Sequence, residues 1–140
     1  MGLFDRLTGH KDIELTPQAG LLVAAISMVA IDGDVDDDEL AIIRRLDGSG
    51  STEAWESAVK TFKTKSVNEC ITLSAGAMNS DQRLVAIANL IDIAMADGGL
   101  AGSEKKLLEE YVEAFSVDSG EVSKMVDVIS IKNNKGIFKK

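Results

Sequence analysis

Apolar residues recur along this chain at helical rather than strand spacing, in long segments parted by short polar breaks. The first segment opens at Thr16-Pro17, an N-cap threonine followed by a proline in the first helical position, where its missing N–H costs nothing. The spacing predicts a helix from there to about Ile31, ended by an Asp32-Gly33 turn in which Gly33 takes the left-handed conformation. A second helix is expected from about Asp36, whose side chain caps while Glu39 answers three residues on, continuing through Leu40, Ile43 and Leu46. After the loop 47-DGSGST-52, Ser51 or Thr52 can cap a third helix with Trp55, Val59 and Phe62 on one face. Ser66 and Glu69 have capping-box spacing and open a fourth helix through Ile71, Leu73 and Ala77. Beyond 79-NS-80 the apolar period resumes at Leu84, Ile87, Leu90, Ile91 and Met95, stopping at Asp97-Gly98. A sixth helix is predicted over about 102–115 and a seventh over about 119–129. Residues 1–15 read as an N-terminal arm and 130–140 as a basic C-terminal tail, fraying over 132-KNNKGIFKK-140. The expectation is one all-α domain over 1–140, a compact bundle of about seven helices.

Sliding the chain against itself by 65 residues lays 32-DGDVDDDE-39 on 97-DGGLAGSE-104. Both copies read Asp-Gly-x-(Val/Leu)-x-x-x-Glu between two apolar helices, and Ile42 and Ile43 fall on Leu107 and Leu108. Two helical hairpins about a pseudo-twofold axis follow, with the third and fourth helices bridging them.

Composition narrows the function. At 140 residues with 45% apolar and 4% aromatic residues, the chain suffices for one domain with a core. A net charge of −8 excludes non-specific nucleic-acid binding, which demands a surplus of lysine and arginine, and favours cations or basic partners. One cysteine, Cys70, and one histidine, His10, exclude a disulfide framework and the usual zinc ligand sets. Cys70 lies in a helical pattern and reads as a small core residue. Arg6 stands where N-myristoylation wants Ser or Thr. The amino terminus lacks a secretory pattern, and the uncharged run 19–31 is shorter than the ~20 residues that span a bilayer, so a cytoplasmic location is expected.

The chemistry concentrates in 31-IDGDVDDDEL-40, with six carboxylates in eight residues. An aspartate at a helix C-terminus meets like potential, costing about 0.3–1 kcal/mol, and Asp32 and Asp97 both stand there. An Asx-type turn accounts for one aspartate per bend and capping accounts for Glu39, but neither asks for Asp34, Asp37 and Asp38. Oxygen ligands at this spacing suit Ca²⁺, Mg²⁺ or Mn²⁺ and suit zinc poorly. The candidate ligands are Asp32, Asp34, Asp36, Glu39, Asp97 and Glu104. An EF-hand is excluded, since its sixth position holds Asp37 instead of Gly and its twelfth Ile43 instead of Glu. Asp92, bordering the apolar face of its helix, is expected at the rim or hydrogen bonded, with Ser27 as its counterpart in the first copy. No nucleophile–base pair, G-x-S-x-G or phosphate loop is present, so an enzyme is not expected.

The paired turns 32-DGDVDDDE-39 and 97-DGGLAGSE-104, with the opening 1-MGLFDRLTG-9, resemble the TerB tellurite-resistance family over nearly the whole chain. The resemblance implies a helical bundle built of two related motifs. It also implies a non-enzymatic, metal-binding cytosolic protein of a tellurite and envelope stress-response system, acting with integral-membrane and calcium-binding partners. The family's acidic positions fall on Asp32, Glu39, Asp97 and Glu104, and Ala101-Gly102-Ser103 departs from the pattern in the second turn. The alternative is an acidic adaptor, without metal, that docks basic segments of a membrane partner. Leu3, Phe4 and Leu7, and Ile137-Phe138 among lysines, are candidate interfacial anchors for peripheral membrane association.

Overall fold

The computed structural model describes residues 14–31, 33, 35–46, 48, 50–96 and 102–139. Among them are seven α-helices and no strand: α1 (Pro17–Ala30), α2 (Asp37–Arg44), α3 (Thr52–Thr64), α4 (Val67–Ala77), α5 (Ser80–Ala94), α6 (Gly102–Ala114) and α7 (Ser119–Asn133). A 3-10 turn, Lys135–Lys139, follows α7. The N-terminal arm with His10, and parts of the 47–52 loop and of both Asp-Gly bends, lie outside the described residues.

α1 is the axis of the bundle. Thr16 Oγ1 accepts from Ala19 N at 3.2 Å, the cap that the Thr-Pro pair predicts. Every residue from Ala19 to Met28 is buried, since α2, α3, α4, α5 and α6 all pack against this helix. A helix enclosed on all sides has no polar face to show, which is why its sequence carries no charge. Gly20 sets the approach of α4: Ser74 Oγ donates to Gly20 O at 3.1 Å, and a Cβ on Gly20 would stand 3.0 Å from Ala77 Cβ.

α3 turns a different face inward from the one its aromatics suggest. Ala58 and Thr61 are fully buried and Ala54 nearly so, while Trp55, Val59 and Phe62 are only partly buried at the edges of the contact. Small side chains let the α1 and α3 backbones draw close, and the larger ones seal the flanks. Thr61 meets the demand for a hydrogen bond locally, donating from Oγ1 to Ser57 O at 2.8 Å.

The repeat is larger than a pair of hairpins. Displaced by 65 residues, α1, α2 and α3 fall on α5, α6 and α7, and α3 packs on α1 as α7 packs on α5. The third helix thus belongs to the first unit, whereas α4 bridges as expected, touching α1 in one unit and α6 in the other. Arg83 fastens the bridge from α5: its Nη2 and Nε donate to Ala75 O at 2.6 and 3.2 Å, and its Nη1 to Phe115 O at 3.4 Å.

The seventh helix is longer than its spacing predicts, and two contacts hold its end. Lys132 Nζ lies 2.9 Å from Asp92 Oδ1, and Asn133 Nδ2 donates to Met95 O at 3.4 Å. Both tie the end of α7 to the end of α5, so the helix runs four residues past Ile129. α5 starts directly after Asn79, because Asn79 and Gln82 cap each other reciprocally, each backbone N–H reaching the other side chain at 2.9 Å.

Candidate functional site

The first acidic bend is built from the end of α1 outward. Ile31 closes α1, and Gly33 N donates to Ala30 O at 3.0 Å. Gly33 has φ 125°, a conformation that glycine reaches without a Cβ penalty. The chain then re-enters a helix at Asp36, whose Oδ1 accepts from Glu39 N at 2.7 Å. Asp37, Asp38 and Glu39 fill the first turn of α2, the first two exposed and the third half-buried. Carboxylates are favoured there because the unpaired N–H groups at a helix start present positive potential. That potential tolerates the charge. One capping carboxylate satisfies the helix, and Asp36 is in that position.

The second bend returns the chain at Gly102, with φ 41°, and puts Glu104 half-buried in the first turn of α6. Of the six candidate ligands, Asp36 and Glu39 thus share one helical turn, and Glu104 occupies the place equivalent to Glu39 in the other repeat. Asp32, Asp34 and Asp97 lie outside the described residues. Among the described residues, no three His, Cys, Asp or Glu side chains gather into a group that could hold a metal ion. What the described donors offer is oxygen, the donor type of hard divalent cations.

The two units seat their bends differently. Leu107 and Leu108 are both buried under α6, whereas of their counterparts Ile43 is buried and Ile42 is 64% exposed. The first acidic turn therefore stands beside an uncovered apolar side chain, with Asp38 one helical turn before Ile42.

Other polar groups prove to have structural partners. Asp92 is at the rim of α5 and holds Lys132. Ser27, its counterpart, is buried, donates to Val23 O at 2.8 Å and accepts from Tyr111 Oη at 3.1 Å. Cys70 is in the core with Sγ 3.8 Å from Thr61 O; burial first, and Glu69 second, push its thiol pKa up, the opposite of a reactive thiolate. Ser66 and Glu69 form their capping box, and the hydrogen bond from the Ser66 backbone is the main cause that lowers the Glu69 carboxyl below its usual range. Tyr111 and Arg83 escape a reading by motif, because each acts on groups distant in sequence. The chain's single tyrosine, one turn before Phe115 on an apolar face, was a signal for the first of them.

A family model described as "Tellurite resistance protein TerB" matches residues 18–126, from the first turn of α1 into α7. No curated protein and no solved structure matches the chain.

Proposed function

The chain belongs to the TerB family, a tellurite-resistance-related domain, and from that premise we propose that it is a non-enzymatic, cytoplasmic component of tellurite resistance and envelope stress response that binds a divalent cation. The observation carrying the cation reading is the surplus of carboxylate in the first bend. Six acids occupy residues 32–39, and capping at Asp36 requires one of them. Asp32, Asp34, Asp36 and Glu39 would hold Ca²⁺, Mg²⁺ or Mn²⁺, with Asp97 and Glu104 contributing if the two bends meet. Oxygen donors make zinc a poor fit. Proteins of the same system, including one integral to the membrane, are the proposed partners.

Calorimetric titration of the full chain with Ca²⁺, Mg²⁺ and Mn²⁺ tests this. Saturable heat, abolished in the Asp32→Asn/Asp97→Asn double variant, is expected for at least one ion. Absence of heat at millimolar metal overturns the reading. The exposed Ile42 beside Asp38 supports a second reading, in which the bend is an adaptor surface for a basic, partly apolar segment of a membrane partner. Metal-independent binding of such a peptide, weakened by salt and by Ile42→Ser, would then replace the first.

A further inference from the structure

The chain is strongly acidic, yet residues 128–140, VISIKNNKGIFKK, contain four lysines and no acid. The same stretch gathers uncovered apolar side chains. Seven large hydrophobic residues are exposed among the described residues, and four of them, Val128, Ile131, Ile137 and Phe138, fall within eleven positions. Apolar side chains scattered singly over a surface need no explanation, but a cluster does. Phe138 is 87% exposed and Ile131 76%, so neither is a side chain half-tucked into the bundle.

Helical spacing gives the cluster a shape. Val128 and Ile131 lie on the outer side of α7, away from Val126 and Ile129, which pack inward. Lys124 stands one turn before Val128, and Lys135 follows Ile131 at the same interval. The 3-10 turn then presents Ile137 and Phe138 between Lys135 and Lys139. Lys132 is paired with Asp92 yet stays 59% exposed, and Lys135 and Lys139 are the exposed lysines beyond it among the described residues. Of the exposed acids of α7, Glu121 precedes the cluster, while Asp127 adjoins it between Lys124 and Val128, one turn before Ile131.

We propose that residues 128–139 form a peripheral anchor for an anionic lipid surface, with the exposed apolar side chains entering the headgroup boundary and the lysines bound to lipid phosphates. Apolar and cationic side chains alternating over so short a length match such a boundary, where one is immersed while the other stays hydrated. Electrostatics also fixes the orientation, because a bilayer of negative charge repels the remainder of an acidic chain and attracts this end. The anchor is weak and reversible, as expected for a single short element. It is independent of the cation reading, since none of its residues belongs to the acidic bends.

Flotation of the full chain with phosphatidylcholine vesicles, with and without phosphatidylglycerol, tests the proposal at low and high salt. The chain is expected to float with anionic vesicles only and to be released by high salt. Each lysine near such a surface contributes about five-fold in partitioning, so Lys135→Gln/Lys139→Gln should lower it roughly 30-fold. Phe138→Ser should lower it further without altering helical circular dichroism. Failure to float with anionic vesicles, equal flotation with neutral ones, or no loss in the double-lysine variant would overturn the proposal. Salt-sensitive self-association that the double-lysine variant abolishes, without vesicle binding, would assign the cluster to the acidic bend of a second copy and overturn it equally.

Discussion

Tyr111 is the chain's only tyrosine and is completely buried on α6, so its ionisation can be followed by absorbance without interference from any other phenol. Its Oη donates to Ser27 Oγ at 3.1 Å, and its ring meets Phe115 edge-on with centroids 5.5 Å apart. Burial is the dominant influence and drives the phenol pKa well upward; hydrogen bonds with Ser27 and Ser74 act against it, while Cys70 and Glu110 add to the rise. In the unfolded chain the same group ionises at about pH 10. Above that pH the unfolded state binds fewer protons than the native state, so the direction of linkage is fixed. The contribution is fully present below about pH 10 and is lost as pH rises toward the folded value, at about 1.4 kcal/mol per pH unit.

A domain of this kind has a total stability of about 5–15 kcal/mol, so one to two pH units of alkaline titration remove a measurable share. The Tyr111→Phe variant isolates the phenol by difference. At neutral pH that variant should itself lose about 1 kcal/mol, since Ser27 keeps its own donor bond to Val23 O while the phenol bond disappears. Tyrosinate absorbance should rise in the wild type only together with loss of helical circular dichroism. The difference in denaturant-derived stability between wild type and variant should shrink or reverse with increasing pH. A tyrosinate transition centred near the ordinary phenol value, with helical signal intact, would refute the burial on which the reasoning rests.

Two further changes probe other joints. Arg83→Met removes the guanidinium that binds carbonyls at the ends of α4 and α6, and should cost about 2 kcal/mol, lowering the thermal midpoint by several degrees; an unchanged midpoint would show that the clasp is energetically idle. Asp36→Ala removes a helix cap and should cost about 1 kcal/mol, whereas Asp36→Asn keeps the cap and should be near neutral in chemical denaturation while weakening any cation affinity; equal destabilisation by both would mean that the charge, not the cap, holds α2 in place.

What could be read from the residues alone was whatever is decided locally. Thr16, Ser51 and Ser66 cap the helices that their spacing announces, because a cap involves only the next three residues. The inner face of α3 was not legible. Trp55, Val59 and Phe62 have the right period for a buried stripe, but the distance between α1 and α3 selected Ala54, Ala58 and Thr61 for the interior. The end of α7 was not legible for the same reason, since the partners of Lys132 and Asn133 are Asp92 and Met95 O, which α5 and its C-cap supply from about 40 residues away in the chain. The acidic bends announced themselves as chemistry. Asp36 has its place in the structure as a cap, while Asp32, Asp34 and Asp97 lie outside the described residues.

The repeat itself offers a way to separate packing from function. Ser27 and Asp92 occupy equivalent positions, yet one is a buried hydroxyl and the other a charged group at the rim. Their surroundings explain the difference. α1 is enclosed by five helices, where an unpaired carboxylate would be strongly penalised, whereas Asp92 on α5 keeps water and Lys132 within reach. The same comparison reaches only the described helix starts that follow the two bends. Asp37 and Asp38 are exposed, and their counterparts Gly102 and Ser103 are exposed too. Both pairs begin a helix, so helix potential treats them alike, although the apolar neighbour Ile42 is exposed after the first pair and its counterpart Leu107 is buried after the second. Under the proposed cation reading the added charge of the first bend belongs to the ion it would hold, and the Asp36→Asn variant, which keeps the cap and removes one charge, checks that reading.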